Sequence, residues 1–127
     1  MNLVLKATQF AALKHCDQRR KDGKTPYIIH PISVAMILAE IGGIDDPEIL
    51  SAALLHDTIE DTPTDFDEIK DKFGLHIAKC VTALTKDMRI EKQKRERLYV
   101  IGLKKAHWHV KLVKICDITA NILDLEN

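Results

Sequence analysis

At 127 residues the chain is long enough to bury one core without disulfides or other staples, and residues 1–127 read as a single domain. Its 19 basic and 19 acidic residues cancel, so bulk charge favours neither DNA or RNA nor a membrane surface, and any bound anion must be gripped locally. Cys16, Cys80 and Cys116 lack short metal-type spacing and sit beside apolar neighbours, so they read as reduced core thiols. The amino terminus carries no signal-like pattern and no apolar run reaches membrane-spanning length, and the expected location is the cytoplasm.

The apolar period is helical throughout, which predicts an all-α, multi-helix bundle. A first helix is expected from Leu3 to Arg19, burying Leu3, Ala7, Phe10 and Ala11 and ending in the turn from Lys21 to Pro26. Pro31 fits the first turn of a second helix, which Val34, Ile37, Leu38 and Ile41 continue until Gly42-Gly43. Asp46-Pro47 opens a third as cap and first residue, expected to run through Asp61 to the stop at Thr62-Pro63-Thr64. Asp65 with Glu68 resembles a capping box for a short fourth helix through Phe73, and Gly74 separates it from a fifth, Leu75 to Leu84. The highly charged stretch Asp87 to Lys105 reads as a solvated helix or mobile connection. A last helix, starting near Val110, is expected to turn Leu112, Ile115, Cys116, Thr119, Ile122 and Leu123 inward.

One segment conflicts with its surroundings. The run Leu50 to Asp61 is a core-like helix pattern that carries His56-Asp57 and Glu60-Asp61, and carboxylates stripped of water there cost several kcal/mol each unless a cation offsets them. On a continuous helix, 56 and 60 share one face and 57 and 61 the next, so all four can border one site, with Glu60 and Asp61 near a bound water or phosphate. His30 beside Pro31 and Asp117 inside Leu112–Cys116's apolar helix are misfits of the same kind. His30, His56, Asp57 and Asp117 form a mixed nitrogen and oxygen set suited to manganese, iron or zinc, with manganese the best match to its oxygen content. The remaining histidines read as ordinary residues: His15 and His76 as surface or packing residues, and His107 and His109 as flanking Trp108 near the start of the last helix, with adventitious metal binding at His107-x-His109 only the lesser alternative.

The order His30, His56-Asp57, Asp117 resembles that of the HD superfamily of metal-dependent phosphohydrolases. The segments Phe10–His15, Asp17–Asp22, Pro26–Pro31 and Ala53–Thr62, continued by Phe73-Gly74 and Lys111–Lys114, are similar to the hydrolase domain of RelA/SpoT proteins, above all to small stand-alone forms related to the metazoan SpoT homologue. The resemblance implies an all-helical bundle around a metal site and a manganese-dependent hydrolase that removes the 3′-pyrophosphate of ppGpp or pppGpp, with another divalent ion as a possible substitute. It implies His30, His56, Asp57 and Asp117 as metal ligands and Glu60 and Asp61 as the groups that handle the attacking water. It further implies that Arg20 and Lys21 contact base and phosphates, and that Tyr27 and Asn121 lie near the nucleotide.

Two departures from the family pattern bear on the substrate. Ile118 and Leu123 stand where relatives commonly carry basic residues, and the sequence ends six residues after Asn121, where relatives continue with helix that helps cover the pocket. Two other readings therefore stay open: an HD phosphohydrolase for another nucleotide such as NADPH, and a nucleotide-binding sensor without turnover. The sequence does not fix the oligomeric state.

Overall fold

Asn2 accepts the backbone N–H groups of Val4 and Leu5 on its side-chain oxygen and so starts α1 (Leu3–Lys14). The computed structural model describes residues 2–124. Seven further helices follow among them: α2 (Ile29–Glu40), α3 (Pro47–Leu55), α4 (Thr58–Asp61), α5 (Phe66–Phe73), α6 (Leu75–Ala83), α7 (Lys92–Lys105) and α8 (Trp108–Asp124). The β-type pairing among the described residues is an isolated bridge between Arg19 and Pro26.

The boundary signals act as their chemistry requires. Asp46 accepts the N–H of Glu48 with Pro47 in the first turn, Asp65 accepts the N–H of Glu68, and Gly74 takes φ 96°, a left-handed value open to glycine, between α5 and α6. α1 ends at Lys14, five residues earlier than expected, because His15 leaves helical geometry and its ring turns to Gln18, while the Asp22 carboxylate binds the N–H groups of Lys24 and Thr25 and fixes the following turn.

α3 forms the centre of the molecule, with Ile49, Ser51, Ala52, Ala53, Leu54 and Leu55 all buried, and it packs against α1, α2 and α6. α8 lies along α2 and presents Val110, Val113, Cys116, Asp117 and Ala120 inward, a stripe at helical spacing. This differs from the inward set expected on α8. Ile115, Ile122 and Leu123 are exposed, because α8 is rotated to aim Asp117 at His30, which turns those three away. Cys80 and Cys116 are buried thiols as expected, but Cys16 is exposed on the loop after α1. α7 carries the charged stretch as a solvated helix with no buried residue.

The expected helix through Asp61 breaks after Leu55 into α3 and α4, with His56 and Asp57 in the intervening turn. The cause is local competition for carbonyls. His56 takes Ala53 O through both its backbone N–H and its ring Nδ1–H, and Thr58 Oγ1 donates to Leu55 O, so two acceptors that would continue the ladder are occupied by side chains. The break turns His56 and Asp57 into the interior beside α2 and α8.

Candidate metal centre and its cleft

His56 is buried, and its Nδ1–H donates to Ala53 O at 2.6 Å, which fixes the tautomer and directs Nε2 away from the backbone. That Nε2 lies 3.1 Å from Asp57 Oδ2 and 3.4 Å from Asp117 Oδ1, yet it has no aligned hydrogen-bond partner. From α2, His30 brings Nε2 to 2.7 Å from Asp117 Oδ1 and 3.9 Å from Asp57 Oδ2. Ligand-type atoms of His30, His56 and Asp117 all fall within 4.8 Å of one another, and Asp57 closes the group from the turn.

A neutral imidazole lone pair pointed at two carboxylates is repelled by them unless a proton or a cation lies between. Burial lowers the basicity of His56, but Asp117 and Asp57 outweigh it and hold the ring up at about 10. Burial pushes the Asp117 and Asp57 carboxyls upward in turn, and the histidines overcome it and leave both below the usual carboxylate range. Two buried imidazoles and two carboxylates converging on one point fit a divalent ion, which satisfies the orphaned Nε2 and both acids at once.

Further groups hold the cluster in place. Tyr27 Oη donates to Asp57 Oδ2 at 2.7 Å and lies 3.5 Å from Asp61 Oδ2, with its ring centroid 4.9 Å from that of His15 and 5.5 Å from the Arg20 guanidinium. Gln18 links His15 Nδ1 to the backbone oxygen of Asp61 by bonds of 2.8 and 2.7 Å. The short α4 carries Glu60 and Asp61 to the rim. Glu60 Oε1 accepts the Lys86 N–H at 2.7 Å, tying the loop after α6 to the cleft. Burial, followed by the charges of Asp57 and Glu60, pushes the Asp61 carboxyl up to about 6.

The cluster opens into a cleft of about 170 Å³ bordered by Arg20, Tyr27, Glu60, Asp61 and Asn121. The structure thus brings together nine of the ten residues singled out from the sequence. Lys21 is the exception. It is exposed in the turn after Arg20 and does not line the cleft. Arg20 is tied to Asn121 at 3.1 Å and to Asp124 at 2.5 Å.

Lys86, Tyr99 and Lys114 also line the cleft, and the sequence reading gave none of them a role. Both ammonium groups lie over the Tyr99 ring, at 5.3 and 5.4 Å from its centroid, and Lys114 Nζ is 3.1 Å from Asp117 Oδ2. Lys114 was detectable in principle, since it precedes Asp117 by three positions and shares its helix face. Lys86 and Tyr99 sit at and inside the charged stretch, where pattern alone shows only a solvated face. Ile118 and Leu123 do not line the cleft.

The profile of the HD domain family matches residues 7–127. The chain belongs to the HD-domain family. Within it, this HD domain is 48% identical over 125 residues to the guanosine-3′,5′-bis(diphosphate) 3′-pyrophosphohydrolase MESH1 of Xenopus tropicalis, covering 98% of this chain and 70% of that protein. It is 47% identical to the Homo sapiens MESH1, covering 96% of this chain and 69% of the relative. A solved structure, described as a metazoan ortholog of SpoT that hydrolyzes ppGpp and plays a role in starvation responses, superposes with a TM-score of 0.91 at 38% identity, over 99% of this chain and 71% of that one. The chain is thus a member of the MESH1 group of HD domains, and its all-helical architecture is that group's. Among the described residues, no helix is long and apolar enough to cross a membrane.

Proposed function

We propose that this HD domain is a divalent-metal-dependent hydrolase that removes the 3′-pyrophosphate of ppGpp or pppGpp, giving GDP or GTP and pyrophosphate. The observation that carries the reading is the buried cluster of His30, His56, Asp57 and Asp117 with Glu60 and Asp61 at its rim, in a fold whose MESH1 relatives bear that activity in their names. His30, His56, Asp57 and Asp117 would hold the ion, with manganese the best match to an oxygen-rich set that lacks thiolate. When bound, the ion lowers the pKa of water and offsets phosphate charge.

The side chains around the cluster account for the remaining steps. In the reaction a water oxygen bonds to the 3′ phosphorus as the bond from phosphorus to the ribose 3′ oxygen breaks; the water gives up a proton and the 3′ oxygen gains one. Asp61, whose carboxyl is pushed up to about 6, has a proton affinity near the working pH, and Glu60 stands beside it across the same rim. Glu60 and Asp61 accept and return the proton, while Tyr27 keeps Asp57 oriented.

The substrate's anionic groups require cations, and the cleft offers Arg20, Lys86 and Lys114. Arg20 also presents a planar guanidinium able to stack on the base, with Asn121 beside it. Lys86 and Lys114 take the place of a basic lining at 118 and 123, so the isoleucine and leucine there do not by themselves argue for another nucleotide. Small guanine nucleotides are the expected partners, and three unpaired cysteines suit a reducing cytoplasm.

The test is chromatography of products after manganese-loaded protein is incubated with ppGpp, pppGpp and NADPH in parallel. Loss of the 3′-pyrophosphate from the guanosine substrates, with kcat/KM well above that for NADPH, supports the reading. Release of orthophosphate from NADPH alone assigns a different nucleotide, and tight ppGpp binding without any product makes the domain a sensor.

A further inference from the structure

The chain's six histidines divide between two places. His15, His30 and His56 surround the metal cluster. His76, His107 and His109 line a separate cavity of about 590 Å³ bounded by α3, α6 and the start of α8, with Asp46 and Glu48 on its wall. Ile49, Ala52, Ile77 and Val110 are buried among its lining residues, so the imidazoles and carboxylates are set against an apolar surface.

The pair His107 and His109 has an unusual placement. Two residues apart on a regular helix, side chains point in nearly opposite directions. Here His107 lies just ahead of α8 (Trp108–Asp124), outside helical geometry, and the two rings come to 4.0 Å between centroids with a tilt of 36°. The two imidazoles thus stand in contact at the wall of one cavity, and drawing their ring nitrogens to one ion takes side-chain rotation, since among the described residues it is the buried cluster of His30, His56 and Asp117 that already gathers three ligand atoms within 4.8 Å. His76, at the start of α6, lines the same cavity, is 85% exposed in its side chain and lies 3.6 Å from the Glu48 carboxylate, so its ring has room to change rotamer. His109 is held below the ordinary histidine value, first by burial and then by the neighbouring His107, with His76 acting in the same direction and Asp46 and Glu48 opposing it; the neutral ring that results is the form that coordinates metals.

We propose that His107, His109 and His76, with Glu48 as a carboxylate neighbour, form a second cation site, for a borderline transition ion such as Zn²⁺, Ni²⁺ or Cu²⁺. Its chemistry differs from that of the buried centre. Three imidazoles at an accessible rim suit ions that bind nitrogen strongly, whereas manganese, lowest in the affinity series for such ligands, is left to the two-carboxylate centre. The two sites therefore separate by metal as well as by place.

Trp108 supplies the readout, because it is the only tryptophan in the chain and its ring centroid lies 5.8 and 5.7 Å from those of His107 and His109. The experiment titrates the intact chain with Cu²⁺ while following tryptophan fluorescence, then repeats the titration with Zn²⁺ present as a non-quenching competitor and with Mn²⁺ alone. The expected result is a saturable quenching phase of one Cu²⁺ per chain beyond the equivalent taken by the buried centre, reversed by excess Zn²⁺ and not produced by Mn²⁺. The double variant H107N/H109N should abolish the saturable phase, and H76N should weaken it at least about tenfold. Equilibrium dialysis should show two bound Zn²⁺ per wild-type chain and one in the double variant, whose remaining equivalent shows that it is folded. Quenching or zinc stoichiometry unchanged in H107N/H109N overturns the proposal, as does a wild-type chain that binds only one Zn²⁺.

Discussion

His30 Nε2 lies 2.7 Å from Asp117 Oδ1 although 87 positions separate the two residues. This contact joins α2 to α8 at the point where His56 and Asp57 emerge from the break after α3, and it sets the rotation of α8 about its axis. Helix packing and ligand geometry are therefore one arrangement. The apolar stripe Val113, Cys116 and Ala120 can be buried only with Asp117 facing inward beside them.

The bond from Tyr27 Oη to Asp57 Oδ2 makes Tyr27 a support for a carboxylate of the proposed metal set as well as a wall of the cleft. Tyr27→Phe keeps the ring packed against His15 and removes only the hydroxyl. Manganese affinity should fall by about 10- to 100-fold, the usual scale for loss of an outer-shell partner, and saturating manganese should restore most of the turnover. Unchanged affinity in a manganese titration followed by electron paramagnetic resonance would assign Tyr27 to the nucleotide alone.

Glu60→Gln retains an amide oxygen able to accept the Lys86 N–H, so the loop after α6 stays attached. Metal occupancy should persist while turnover falls by roughly 10²-fold or more, the scale for losing an acid–base group. If turnover and metal occupancy both stay near wild type, Glu60 serves only as the tether for that loop.

Asp61 gives a pH dependence whose sign can be worked out. Its folded-state value, about 6, lies above the ordinary 3.8, so the fold favours the protonated form. That contribution is fully present below pH 4 and is lost as pH rises through 6. In metal-free protein, Asp61→Asn should therefore stabilise the fold above pH 6 and have little effect near pH 4. The gain should be on the order of 1 kcal/mol, because solvent screens a carboxylate at the rim of a cleft. Urea midpoints measured from pH 4 to 8 provide the check, and a gain that shrinks with rising pH would contradict it.

Lys114 lies over the Tyr99 ring and beside Asp117, facing the cleft. Lys114→Met keeps most of the aliphatic stem and removes the charge. If the ammonium binds substrate phosphate, KM should rise with kcat less affected. Loss of a charged hydrogen bond of about 1.5 to 3 kcal/mol corresponds to roughly 10- to 150-fold in kcat/KM. The exposed Lys21 should show less than about threefold under the same substitution, within the range of surface changes. Equal losses at both positions would show that the cleft extends over the turn after Arg20.

The legible part of the fold was the part governed by local chemistry. Asp46-Pro47, Asp65 with Glu68, and Gly74 act on their own neighbours, so the boundaries they mark agree with the structure. The misfit acids and histidines were legible for a related reason: His56, Asp57, Asp117 and His30 conflict with apolar surroundings, and such a conflict has few physical resolutions. The break between α3 and α4 was not legible, since it depends on the His56 ring and the Thr58 hydroxyl taking carbonyls that helical periodicity assigns to the backbone. The roles of Lys86 and Tyr99 were hidden as well, because their place at the cleft depends on how the loop after α6 and helix α7 fold back toward α8.

The most direct test of the central claim follows ³¹P nuclear magnetic resonance of ppGpp during turnover by manganese-loaded protein, since the 3′ and 5′ diphosphates report separately. Turnover should remove the 3′ diphosphate signals, yield inorganic pyrophosphate in equal amount and leave the 5′ diphosphate signals of GDP intact, and chelation or His56→Ala should stop the reaction. Loss of the 5′ diphosphate, or release of orthophosphate with the 3′ pyrophosphate retained, would contradict that claim.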